Sequence, residues 1–465
     1  MRKIYFFCGV FVLSICPAFS QKWAPLPGRL DEYVNVMYAD SNYLYVTGLF
    51  NMIGNEHIQG IARWNGVKWD SMGAGIDGLI KMNYCCAPNT WAITPYQNKL
   101  YVGGGFSSLG KVRANYIGTW DGTQWDSLPV QPFYTNYNGV VWALAVINNL
   151  LYMGGEFDTV AGHQCIGIAQ WNGNTWKSLN FPNQAAFVSV SAICEYQGSV
   201  YAAGGFDETP NDTISNILRW DGKNWHSVGG GIKGGNDWIE TMTIYNGELY
   251  VAGYFSPADG NRDNNIQRWD GTAWHPVGGG TNAEVFNLSV INGKLYAMGQ
   301  FDEAGGVPAS GIAEWDGTKW CGLGGTFDNS ISGCAFYKDT LYVGGGFWTI
   351  NSDSIVYVAK WLGGNYVDTC GNDATGINEL IAKNAMVRVY PNPGNGIFTM
   401  QLSGINGPSV VEIYNVMGQK VYTGSVNSTH TEMNLSNQSN GIYLYRVITE
   451  NGELVGEGKI VIQLN

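Results

Sequence analysis

Charge is scarce in this chain, and positive charge most of all. Of 465 residues only 13% are Asp, Glu, Lys or Arg, with 25 basic against 37 acidic side chains and a formal net charge of −12. An acidic protein without a basic stripe has nothing to neutralise phosphates, which argues against nucleic acid and anionic membrane as partners. Histidine is equally sparse. His57 and His163 fall in variable loops, His226 and His275 follow tryptophans, and His430 stands near the C-terminus, so the five form no site. No HExxH, GxSxG or GxxxxGK(S/T) pattern occurs, which removes the signatures of zinc peptidases, serine hydrolases and phosphate loops. No CxxC spacing is present, and no segment is apolar for long enough to cross a bilayer as a helix.

The N-terminus reads as a processing signal. Arg2 and Lys3 precede the apolar stretch Ile4 to Ile15, which is too short to span a membrane. Pro17 breaks it, and Ala18-Phe19-Ser20 offers small residues before a cut, with Gln21 as the first mature residue. Seven cysteines then remain: Cys85, Cys86, Cys165, Cys194, Cys321, Cys334 and Cys370. Disulfides suit an exported protein, but their pairing is not readable. Cys194 and Cys334 lie in apolar runs and are expected in the core unpaired. The adjacent Cys85-Cys86 could bind metal, form a vicinal disulfide, or simply occupy a loop.

What is abundant is glycine, with 64 residues, and tryptophan, with 18. They belong to one repeat. An apolar run is followed by Leu-Tyr-Val-Gly-Gly-x-Phe, a loop, then Ile-Ala-x-Trp-Asp-Gly-x-x-Trp. The first tryptophan recurs at Trp64, Trp120, Trp171, Trp220, Trp269, Trp315 and Trp361. A period of this length, with strands in each unit, marks a β-propeller. The third copy shows the plan. Val141 to Val146 is a buried inner strand and Leu151 to Gly155 the second. Ile166 to Trp171 and Thr175 to Leu179 complete a four-stranded blade. Gly154-Gly155 removes side chains where a neighbouring blade comes close. Asn172-Gly173 is a turn whose two residues both accept positive φ. Seven copies predict seven blades over residues 21–370. In the last, Tyr366 replaces the second tryptophan, while Trp23 heads an orphan outer strand. Which of the two strands closes the ring stays open.

The Gly-Gly after a Tyr-bearing strand, followed by a Trp-bearing outer strand, resembles the kelch repeat and propellers of galactose-oxidase type. Such a resemblance implies a propeller scaffold. The copper ligands of galactose oxidase, two tyrosines, two histidines and a crosslinking cysteine, have no counterparts at matching repeat positions, so that activity does not carry over.

Residues 371–385 lack the repeat and read as a linker. Residues 386–465 carry Tyr390-Pro391-Asn392-Pro393, a hairpin at Met417-Gly418, Gly441-Ile442-Tyr443-Leu444-Tyr445 and Lys459-Ile460-Val461. These strands read as a small Ig-like β-sandwich. The motifs, in this order, resemble the type A C-terminal sorting domain of type IX secretion cargo from Bacteroidota. The resemblance implies passage through the periplasm, recognition by the type IX machinery, and attachment to the cell surface or release.

Candidate site residues come from the loops. Tyr84, Phe133, Tyr134 and Tyr137 lie in the long connections before the second and third inner strands. An aromatic, low-charge face suits stacking on sugars or docking a protein, and the same rings could equally pack down their own loops. Asp158, Asp207-Glu208, Asp259, Asp263 and Asp302-Glu303 recur after the Gly-x-Phe element. Such acids would hold calcium or a cationic ligand if they converged, or would serve as turn residues. The expectation is an exported recognition protein that binds glycan or protein through these loops. The alternative is a secreted hydrolase or lyase with acids at the propeller axis.

Overall fold

The computed structural model describes residues 23–362 and 386–463, apart from residues 74, 78–88, 130–131, 134–138, 180, 182–187, 207–215, 233–237, 257–262, 339, 404–408, 416–418, 427–429 and 450–453. The expected signal peptide and linker, and Cys85, Cys86 and Cys370, lie outside the described residues. The chain divides into two compact units, Met1–Gly371 and Asn372–Asn465.

Every described element is a strand. In the first unit, seven antiparallel four-stranded sheets stand among the described residues. In six of them the chain runs outward from inner to outer strand, as in Val140–Ile147, Leu150–Glu156, Ile168–Trp171 and Trp176–Ser178. Inner strands of successive sheets touch in chain order, and the last, Ile331–Tyr337, touches the first, Val34–Ala39. This is the arrangement of a β-propeller.

The Trp-Asp/Asn-Gly-x-x-Trp element explains itself in the outer hairpin. Trp171 and Trp176 are directly opposed, with ring centroids 5.0 Å apart. Between them, the Oδ1 of Asn172 accepts the backbone N–H of Asn174 at 2.9 Å and of Thr175 at 2.8 Å. Only Gly173 sits at positive φ, at 96°. The expectation that both turn residues adopt positive φ is therefore corrected: the Asn works through its side chain.

The second tryptophan reaches the preceding sheet. Its indole N–H donates to a carbonyl beyond the preceding outer strand, from Trp125 to Met72 at 2.6 Å, from Trp225 to Leu179 at 2.9 Å and from Trp320 to Val277 at 2.8 Å. At the end of the ring Trp23 takes this part. Trp23–Pro25 pairs with Val358–Trp361, Trp23 stands opposite Trp361, and its indole donates to the Gly324 carbonyl at 3.1 Å. Trp23, not Tyr366, is thus the second tryptophan of the last sheet, and the N-terminal segment supplies its outer strand. Tyr366 lies outside the described residues.

The paired glycines have two different duties. A Cβ on Gly154 would lie 2.6 Å from Cγ1 of Val190 on the neighbouring inner strand, as expected for close approach of sheets. A Cβ on Gly155 would lie 2.0 Å from the carbonyl oxygen of Val140 in the same sheet. Gly155 therefore accommodates its own inner strand rather than the neighbour.

Cys165 and Cys334 are buried free thiols, Cys194 is free and half-buried, and Cys321 is disulfide-bonded. In the second unit, a three-stranded sheet that includes Met386–Tyr390 and a four-stranded sheet that includes Gly441–Thr449 share one core. Phe398, Met400 and Met433 from the first sheet meet Val411, Ile413, Tyr443 and Val447 from the second. On the four-stranded sheet Glu412 is held by Lys420 at 2.7 Å, by Arg446 at 2.7 Å and by the Tyr414 hydroxyl at 2.6 Å.

Candidate functional site

Each inner strand carries one irregularity, at the same place. Opposite the second strand, the register skips a single residue. The skipped residues are Asn35, Trp91, Trp142, Ser191, Glu240, Phe286 and Ser332. Such β-bulges need room for a displaced backbone carbonyl, and a second-strand glycine such as Gly155 provides it. A bulge re-aims its side chain. Here all seven aim at one place, for all seven line a cavity of about 590 Å³. Because inner strands from every sheet contribute, the cavity lies on the propeller axis.

The wall carries both aromatic and polar side chains. Trp91 and Trp142 stack at a tilt, with centroids 5.0 Å apart and planes at 53°. Trp238, Phe286 and Tyr33 add three more rings. The Trp142 indole donates to Oε1 of Glu156 at 3.1 Å, and the Ser189 hydroxyl donates to the same oxygen at 3.0 Å. Asn35 donates to the side-chain oxygen of Asn89. The Tyr33 hydroxyl lies 2.8 Å from that of Ser330 and accepts from Ser332 at 2.9 Å. These contacts fix rotamers ahead of any ligand. The buried indole N–H of Trp91 has no hydrogen-bond partner.

Among the described lining residues Glu240 is the acidic one. Burial, with the charge of Glu284 adding to it, pushes its carboxyl up to about 7. Glu284 precedes the strand that bears Phe286, and its own carboxyl is also raised by burial.

Of the residues expected from sequence, those that are described are not among the lining residues of this cavity. Tyr84, Tyr134 and Tyr137 lie outside the described residues, as do Asp207, Glu208 and Asp259. The backbone of Phe133 pairs with Thr159. Asp158 accepts the Thr159 hydroxyl at 2.9 Å, and Asp302 is exposed and bound to the Asn282 amide. Asp263 is buried but accepts the backbone N–H of Val277 at 2.7 Å and Gly279 at 2.9 Å, a turn-holding role. Among the described residues no group of three His, Cys, Asp or Glu could hold a metal ion. His226 and His275 contact Asp221 and Asp270 at 2.6 and 2.7 Å on outer strands.

Trp91, Trp142, Trp238, Glu240 and Phe286 are not among the candidates drawn from the sequence. A signal was present. In the aligned inner strands the flanking positions stay apolar or small except at Asn287, while the bulge position reads Asn, Trp, Trp, Ser, Glu, Phe, Ser. Variation at one position in an otherwise uniform repeat marks a residue freed from the shared packing.

In the second unit, Tyr390 is exposed, and Asn392, between Pro391 and Pro393, bridges to the last strand. Its amide donates to the Lys459 carbonyl at 2.7 Å and accepts the N–H of Val461 at 2.9 Å. Gly441 opens a strand, and Tyr443 is buried with its hydroxyl donating to Ser439 at 2.9 Å. Gly418 lies outside the described residues.

Comparison with known proteins agrees with these two units. Residues 388–463 match the secretion system C-terminal sorting domain, and residues 246–268 match a β-propeller domain of unknown function. No curated protein matches the chain. Among solved structures it is similar to PorZ, an essential surface component of the type IX secretion system of Porphyromonas gingivalis. The identity is 14% and the TM-score 0.38, covering 92% of this chain and 65% of that one. It is also similar to the extracellular domain of a putative one-component system from B. thetaiotaomicron, at 12% identity and TM-score 0.46, covering 96% and 58%. A fungal alcohol oxidase in complex with copper is similar at 14% identity and TM-score 0.45, covering 96% and 100%. The chain thus spans less than two thirds of the first two proteins.

The chain is a β-propeller followed by a type IX secretion sorting domain. That domain implies engagement with the type IX system and export to the cell surface or extracellular space. Among the described residues no helix is long and apolar enough to cross a membrane.

Proposed function

We propose that this is an exported recognition protein, a seven-bladed kelch-like propeller that binds glycan in its axial pocket. An Ig-like sorting domain delivers it after removal of an N-terminal signal peptide. The observation that carries this reading is the convergence of seven bulge side chains on one cavity of about 590 Å³. That volume suits a sugar ring or two rather than a flat protein surface. Indole faces stack on the apolar face of a sugar, while Asn35, Asn89, Ser191 and Ser332 offer hydrogen bonds to its hydroxyls. The test is a glycan array with the full chain, followed by the Trp91→Ala, Trp142→Ala double variant. Retention of a glycan by the wild type and a loss of about tenfold or more in the folded double variant is expected. Undiminished binding by the variant would move the site away from the axis.

A second reading is a secreted hydrolase or lyase. One observation favours it: a carboxyl near pH 7 with a second carboxylate beside it is the setting of a general acid. Turnover of a bound glycan that disappears in Glu240→Gln would establish it.

A further inference from the structure

The lining of the axial cavity is lopsided in charge. Five rings surround it, from Tyr33, Trp91, Trp142, Trp238 and Phe286. Glu240 supplies a carboxylate, while among the described residues no Lys, Arg or His lines the cavity. Two further carboxyl groups stand behind the described wall. Glu156 holds the Trp142 indole, and Glu284 acts electrostatically on Glu240. The strands packed against that of Glu240 present Ser191 from one side and Phe286 and Asn287 from the other, all neutral. No hydrogen bond or ion pair to the Glu240 carboxylate is present among the described residues.

A half-buried carboxylate without a partner is costly, and a neighbour of like sign makes it more so. Aromatic rings carry negative potential on their faces and attract cations when water is excluded. Both features call for the same complement. We infer that the axial pocket takes its ligand through a cationic amine, seated against Glu240 and ringed by the indoles. The inference rests on the reading of the axial cavity as the ligand site. Two sources share this chemistry: an amino sugar with a free ammonium, and a trimethylammonium headgroup.

The test is titration calorimetry of the full chain with methyl glucoside, glucosamine and tetramethylammonium. Wild type, Glu240→Gln and Trp91→Ala are compared, each with its thermal unfolding recorded to show that it folds. The expected result is binding of an ammonium probe at least about tenfold tighter than the glucoside. Glu240→Gln should abolish that preference without weakening the neutral sugar, and Trp91→Ala should weaken all probes. Tetramethylammonium does not titrate, so its affinity should rise between about pH 6 and pH 8 in the wild type and stay flat in Glu240→Gln. Tighter glucosamine would identify the amino sugar, and tighter tetramethylammonium the headgroup. Equal binding of glucoside and glucosamine, unchanged in Glu240→Gln but lost in Trp91→Ala, would overturn the cation while keeping the pocket. Absence of binding by every probe overturns the inference. Array binding that then survives Trp91→Ala overturns the pocket as well.

Discussion

Replacing Trp23 with alanine tests how the ring closes. Trp23 is only 6% exposed although it belongs to the first strand of the described chain. Its ring meets Phe327 at 5.4 Å and Trp361 at 5.0 Å, and its indole donates to Gly324. Truncating a buried tryptophan costs about 3–5 kcal/mol, to which the lost hydrogen bond adds about 1 kcal/mol. Unfolding entropy of about 2 cal/mol/K per residue gives a propeller of this size roughly 0.7 kcal/mol/K, so about 5 kcal/mol lowers Tm by about 7 °C. Calorimetry of the full chain would measure the shift in the larger transition. Hydrogen exchange would report where the loss acts, with Val358–Trp361 losing protection first because its outer partner is gone. Trp69 plays the same part in the first sheet but is less buried, so Trp69→Ala should shift Tm less. A Tm for Trp23→Ala within about 1 °C of the wild type would refute closure by the N-terminal strand.

The glycine pair makes a separate comparison. Gly154→Val should cost about 1–3 kcal/mol because side chains of the next sheet can yield, whereas Gly155→Val meets a backbone carbonyl at 2.0 Å and should cost more. Equal shifts in thermal unfolding would show that the two positions are not distinct. In the sorting domain, the bonds from Lys420, Tyr414 and Arg446 hold the Glu412 carboxyl down at about 2, below its ordinary value of 4.5. A depressed carboxyl stabilises the folded form above the ordinary value, and this is lost as pH falls from 4.5 through about 2. Glu412→Gln should therefore flatten that acid-side fall in stability, and an unchanged slope would remove Glu412 from the account.

Repetition made most of the fold legible. A turn such as Asn172-Gly173, a glycine such as Gly154 and a tryptophan pair such as Trp171 and Trp176 act within about ten residues or on the adjacent copy. Their physics is local, so spacing alone reveals them. Trp23 was visible as an orphan outer strand able to close the ring, but its pairing with Trp361 was not decided, because the last repeat offered an outer strand of its own. The sorting motif was legible for a different reason: Asn392 and Tyr443 hold fixed backbone partners within one small domain.

The axial cavity was not legible, because it belongs to no single repeat. A bulge on each inner strand turns one side chain toward the axis, and only the closed ring brings Trp91, Trp142, Trp238, Glu240 and Phe286 around one cavity. In the sequence Glu240 is one acid in an acidic chain. Its carboxyl rises to about 7 only where the ring withholds water and sets Glu284 beside it. The sequence by itself determined the repeat, its turns and its address. The tertiary structure decided what faces the axis, since proximity across sheets and exclusion of water arise only when the strands assemble.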